Sequence, residues 1–253
     1  MRNTELQERV THILSKSSIS FKKLIIFCFC FILIIVLIVG VLFNISAKRK
    51  KYLFTSGRVF YVYYTTITSA TNASEIVSTQ QKSGGAGFPL EEGAKIYVCA
   101  FLYENFEDAM LVKNANIEAY NNGGIKEIKT QKMSARAQKV VKNCENYTKL
   151  VHLLEDCFND FYSMAISHDE NKLNESETFS RVFLWLTQAN TLNDNFEKTD
   201  NISAVCELLA YEIKDFLATK TGRIERCSGL KLMCFKIINL YNAFANLIEG
   251  EKL

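Results

Sequence analysis

SARAQKVVKNCENYTKLVHLLEDCFNDFYSMA, Ser134 to Ala165, is the stretch on which the fold class turns. Within it Val140, Cys144, Tyr147, Val151, Leu154, Phe158 and Phe161 alternate four and three residues apart, the apolar seam of a long helix packed against others. Three further stretches repeat that spacing. One, from about Glu175 to Lys198, sets Phe179, Val182, Leu186, Ala189 and Phe196 inward, with Asn174 and Glu177 placed as a capping box. The next, about Asn201 to Lys220, carries Ile202, Val205, Leu209, Ile213 and Phe216 and stops at Gly222. The last, about Ile224 to Glu249, carries Leu230, Met233, Ile237, Leu240, Phe244 and Leu247. Short links between long amphipathic helices predict an antiparallel four-helix bundle, so the expected fold class is all-α.

Upstream of the seam, AKIYVCAFLYENFEDAMLVK (Ala94 to Lys113) places Ile96, Cys99, Tyr103, Phe106 and Met110 three and four apart. This reads as one face of a helix or a short helical hairpin extending the bundle at its N-terminal end. Ile125 to Lys132 is a short segment to which the pattern assigns no state. Before these, VFYVYYTTITS is aromatic and β-branched, a strand by propensity, but no partner strand is evident downstream. Thr71 to Gly93, with its SGGAGFP, has turn residues and little apolar periodicity, and reads as a linker.

Leu24 to Phe43, LIIFCFCFILIIVLIVGVLF, holds no charge and no proline. As a helix it spans about 30 Å, a bilayer's hydrocarbon core. The expected organisation is therefore a cytoplasmic tail (1–23), a transmembrane signal anchor (24–45), a juxtamembrane linker (46–93) and a helical bundle (94–253). Arg2, Arg9, Lys16, Lys22 and Lys23 before the run balance Lys48, Arg49, Lys50, Lys51 and Arg58 after it, so charge does not set the orientation. A single N-terminal anchor with a long downstream domain points to a type II protein of the secretory pathway, with the bundle in the lumen or apoplast. Sequons at Asn72, Asn146, Asn174 and Asn201 agree as candidate glycosylation sites. Outside the apolar run lie six cysteines, an even number that suggests disulfides in a lumenal domain.

Little here suggests chemistry. A net charge of +3 gives no reason to expect nucleic acid, and 11 glycines with one proline favour helices. His12, His152 and His168 are far apart, in no metal-binding arrangement, and read as solvated. Glu155 and Asp156 read as ordinary helix charges. Cys227 and Cys234, a heptad apart, suit one buried stripe rather than zinc. No cofactor, no metal and no enzymatic activity are expected.

The stretch VFLWLTQANTLNDNFEK (Val182 to Lys198) resembles the signature helix of the plant pectin methylesterase inhibitor and invertase inhibitor family. Trp185 and Leu186 match that motif's start, Thr191 the threonine before its cysteine, and Asp194 with Phe196 its end. About one helical turn is missing between them. KNCENYTKLVHLL is similar to a family helix in which a cysteine precedes an acidic residue and a tyrosine; Cys144, Glu145 and Tyr147 stand there. VCAFLYENFED is similar to the N-terminal hairpin, with Cys99 and Tyr103 matching. The other two family cysteines fall near Glu107 or Asp108 and on Leu192, so neither family disulfide forms as usual. The family register implies instead a bridge from Cys144 to Cys206, with Cys157 level with Cys227 or Cys234. Many plant pectin methylesterases begin with an anchor and such a pro-region, and the resemblance covers roughly residues 95 to 220. It implies a non-catalytic domain that binds a pectin methylesterase, or less directly an invertase, and is held to the bilayer through Leu24 to Phe43. The alternative is a non-enzymatic, membrane-anchored scaffold or interaction protein whose bundle pairs with itself or with another membrane partner. The two differ at the surface: an inhibitor needs a polar, shape-specific face on the second and third seam helices, whereas a scaffold exposes an apolar stripe there.

Overall fold

The aromatic run that lacked a partner in the sequence is one of the two inner strands of a sheet. In the computed structural model, which describes residues 54–250 apart from 117, 119–121, 173, 198–200 and 220–221, β1 (Val59–Thr68) pairs antiparallel with β3 (Lys95–Tyr103) on one side and with β4 (Gly124–Lys129) on the other. β2 (Phe88–Glu92) pairs antiparallel with β3, giving the order β2-β3-β1-β4. α1 (Ala70–Lys82) links β1 to β2, and α2 (Phe106–Ala115) links β3 to β4. Each crosses one intervening strand, so the first half of the unit is the split β-α-β arrangement used twice. Irregularities between Tyr63 and Thr66 shift the β1–β3 register, and one of the displaced residues, Thr65, donates its hydroxyl to Gln80 Oε1 of α1 at 2.8 Å.

Five helices follow: α3 (Ala135–Asn143), α4 (Glu145–Asp169), α5 (Glu175–Asn193), α6 (Ser203–Thr219) and α7 (Arg223–Gly250). α3 is capped by Ser134, whose side chain accepts from the Ala137 amide, and α5 by Asn174, which accepts from Ser176. Sheet and helices share one core. Phe158 of α4 meets Phe60 of β1 at 5.0 Å and Phe54 at 5.3 Å, Tyr162 stacks on Phe101 of β3 at 5.5 Å, and Phe235 of α7 stacks on Phe88 of β2 at 4.6 Å.

The expected all-α four-helix bundle is corrected by this sheet: the class is mixed α and β, with seven α-helices among the described residues. The segment expected as a helical hairpin is β3 followed by α2, because Ile96, Cys99 and Tyr103 fall three and four apart within a continuous apolar run that pairs on both sides as a strand. The expected linker, 46–93, supplies β1, α1 and β2. The long seam helix is two, broken where Cys144 turns extended at φ −110° and ψ 113°. The single-pass, type II reading is corrected too: no helix among the described residues is long and apolar enough to cross a membrane. Its expected span, Leu24 to Phe43, lies outside the described residues. The chain divides into two units, 1–51 and 52–253, and only the second is described here.

Candidate interaction surface and side-chain clusters

α5 and α6 form a hairpin whose inward residues, among them Val182, Ala189, Val205, Leu209, Ile213 and Phe216, are buried. Their outward residues are unusual. Phe183 is 62 % exposed, Leu184 53 %, Leu208 51 % and Tyr211 66 %, half of the large apolar side chains that stand exposed among the described residues. Beyond the first turn of α5 its exposed positions, Ser180, Phe183, Leu184, Thr187, Gln188, Asn190 and Thr191, include no charge. The hydroxyls of Ser180, Thr187 and Thr191 each donate to the carbonyl four residues back, at 2.8–3.0 Å. Turned onto their own helix in this way, they ask little of water or of a partner. On α6 the exposed stripe runs Ala204, Glu207, Leu208, Tyr211, Lys214, Ala218.

The motif positions expected from sequence divide among several places. Cys99 and Tyr103 belong to β3, far in character from any bundle helix. Tyr147 of α4 stacks on Phe196 at 6.2 Å. Trp185 is half-buried and donates its indole N–H to Asp160 Oδ2 at 2.8 Å, and Arg181 pairs with the same carboxylate. Trp185 and Thr191 line an apolar cleft of about 430 Å³ between α4 and α5, with His152 and Asp156. Leu186 packs partly buried on the core, and Asp194 is the exposed C-cap of α5. None of the six cysteines described, Cys99, Cys144, Cys157, Cys206, Cys227 and Cys234, is joined in a disulfide. Of the sequon residues Asn72, Asn174 and Asn201 are exposed, while Asn146 donates to the Asn195 carbonyl at 3.0 Å. Glu155, read as a surface charge, is buried.

A second cluster was not visible in the sequence, because it joins the end of α4 to the start of α7. His168, Asp169 and Cys227 bring an imidazole nitrogen, a carboxylate oxygen and a sulfur within 4.8 Å of one another. Cys227 Sγ donates to Asp169 Oδ1 at 3.2 Å and lies 3.4 Å from the Gly84 carbonyl. Lys231, one turn along α7, pairs with the same Asp169 oxygen at 2.9 Å and lies over the Phe101 ring. Burial pushes the Cys227 thiol up to about 11 and, above the effect of its neighbours, lowers the His168 imidazole. Two clefts flank the cluster: one of about 450 Å³ lined by His168 with Arg223 and Arg226, the other of about 230 Å³ lined by Asp169, Lys231, Tyr103 and Gln80.

Comparison with family models, with curated proteins and with solved structures finds no match to this chain.

Proposed function

We propose that this chain is a non-enzymatic scaffold that pairs with a second copy of itself through the outer stripe of α6, flanked by α5. The observation that carries the reading is the exposure of four large apolar side chains, Phe183, Leu184, Leu208 and Tyr211, on the α5–α6 hairpin. With aromatic side chains worth about 150–250 Å² each, the exposed parts of Phe183, Leu184, Leu208 and Tyr211 amount to roughly 400 Å². That is within the range of the largest apolar patch on a monomer, which is often functional. Self-pairing is favoured over an unrelated partner by charge placement. Glu207 and Lys214 are exposed and two turns apart on one face. An antiparallel two-fold crossing centred between residues 210 and 211 sets each Glu207 opposite the Lys214 of the other copy, with Leu208 and Tyr211 at the axis.

The inhibitor reading loses support on two counts. Its family is a four-helix bundle, and here the resembling region begins in a sheet; the hairpin face exposes Phe183, Leu184, Leu208 and Tyr211 where an inhibitor's would be polar and shape-specific. Sedimentation equilibrium on residues 52–253, a compact unit with its own core, is expected to show a dimer. Lys214→Glu weakens it, and adding Glu207→Lys to that variant restores it. A wild type that stays monomeric into the high micromolar range, or a charge swap that fails to restore pairing, refutes the proposal.

A further inference from the structure

We infer that His168, Asp169 and Cys227 form a binding site for a divalent transition-metal ion of the zinc type, with one coordination position left open. Among the described residues this is the one group of three such donors gathered within 4.8 Å. Its chemistry selects the ion. One imidazole nitrogen, one carboxylate oxygen and one thiolate sulfur form a borderline-soft set suited to Zn²⁺ or Co²⁺, whereas Ca²⁺ and Mg²⁺ require shells of oxygen. The spacing fits as well. In a tetrahedral shell with Zn–S near 2.3 Å and Zn–O near 2.1 Å, sulfur and oxygen stand about 3.6 Å apart. Asp169 Oδ1 and Cys227 Sγ are 3.2 Å apart, with the thiol hydrogen between them.

Binding would therefore replace that hydrogen with the ion. Cys227 loses one proton to solvent for each ion taken up, and no oxidation or reduction is involved. The flanking clefts provide entry, His168 facing one and Asp169 the other. The rigid parts of the site are helix ends: His168 and Asp169 are the last two residues of α4, and Cys227 lies in the second turn of α7. Gly84, at φ +84°, holds its carbonyl against the sulfur. One group opposes the ion. The Lys231 ammonium occupies the Asp169 oxygen and must withdraw toward the Phe101 ring, which its chain already overlies. Lys231 thus acts as a resident competitor, and its removal should tighten binding.

The test is titration of the full chain with Co²⁺ alone under anaerobic, thiol-free conditions, read by absorption. The expected result is one ion per chain, with a thiolate-to-cobalt charge-transfer band in the near ultraviolet and visible bands of tetrahedral intensity. Cys227→Ser removes the charge-transfer band, and His168→Gln, at a half-exposed position, weakens binding at least about tenfold. Lys231→Met tightens it severalfold while leaving the circular dichroism unchanged. Absence of the thiolate band in the wild type overturns the inference, as does a band that survives Cys227→Ser or an affinity that Lys231→Met fails to raise.

Discussion

Phe158→Ala tests whether the sheet and the helices fold as one unit. Phe158 is fully buried, and its ring is the place where the two halves meet. It lies 5.0 Å from Phe60 of β1, 5.3 Å from Phe54, 5.9 Å from Tyr162 of its own helix and 5.1 Å from the Arg58 guanidinium. Truncation of a buried phenylalanine costs about 3–5 kcal/mol, including the cavity left behind. The lost edge and tilted ring contacts, worth about 0.5–1.5 kcal/mol each when isolated, place this site in the upper part of that range. Taking about 4 kcal/mol and a urea m-value of about 2.5 kcal/mol per molar, the midpoint should fall by about 1.6 M. For a unit of this size the melting temperature should fall by about 8–16 °C. The assay is urea unfolding of residues 52–253 followed by two probes. Trp185, the single tryptophan, reports on α4 and α5 by fluorescence, and far-ultraviolet circular dichroism reports on all elements. The two curves should coincide for the wild type and shift together in the variant. If they separate, or if the tryptophan transition stays in place while the dichroism shifts, the shared core is not cooperative and the reasoning fails.

Asp160→Ala leaves the Trp185 indole N–H and the Arg181 guanidinium without their common acceptor; because Arg181 is a third exposed, the expected loss is modest, about 1–2 kcal/mol by urea unfolding, with Asp160→Asn costing less. Alkaline stability should show buried thiols. Burial pushes Cys99 up to about 12 and raises Cys157 and Cys234 well above the usual thiol range. Above pH 9 the unfolded chain loses these protons while the folded chain keeps them, so stability is full below that value. It then declines by about 1.4 kcal/mol per pH unit for each thiol until the folded value is reached. Urea midpoints that stay level between pH 8 and 10.5 would count against buried, protonated thiols at these three positions.

The helical half of the unit was legible in the sequence and the sheet was not, for reasons that particular residues show. α6 and α7 begin and end within about two residues of where three-and-four spacing places them, and α5 begins where expected but ends at Asn193, short of Lys198; each is long enough for the period to be unambiguous. β3, KIYVCAFLY, is a short continuous apolar run, and such a run fits a buried strand or a helix face equally well. The edge strands concealed themselves more thoroughly. β2 contains the only proline, Pro89, with Glu91 and Glu92, and β4 reads GIKEIK with three charges in six residues. These are the devices that keep an exposed strand edge from pairing with another chain, and they also remove the alternating apolar signature by which a strand is recognised. α1, ATNASEIVSTQQK, buries only Gln80, so nothing in its pattern separates it from a linker. The His168, Asp169 and Cys227 cluster joins residues nearly sixty positions apart, a proximity that no local spacing encodes.

α7 did hold a sign of the second layer. A helix in a simple antiparallel bundle buries one stripe and leaves its opposite face to solvent. From Arg226 to Leu240 α7 exposes only Asn239, and Ser228, Gly229, Cys234, Phe235 and Ile238 are buried alongside the seam positions. One face of this 28-residue helix meets α4 and α6; another meets the sheet, through Phe235 on Phe88, and the end of α1, through Cys227 beside Gly84. The near-continuous run LKLMCFKII (Leu230 to Ile238) therefore exceeds what a four-helix seam can use, and its surplus requires something else to cover it. The same reasoning separates α7 from α6. Leu208 and Tyr211 also exceed the α6 seam, but no element among the described residues covers them. A surplus of apolar residues on a helix thus has two physical outcomes in this chain: on α7 it is met by the sheet within the fold, and on α6 it stands exposed, the feature on which the proposed pairing rests.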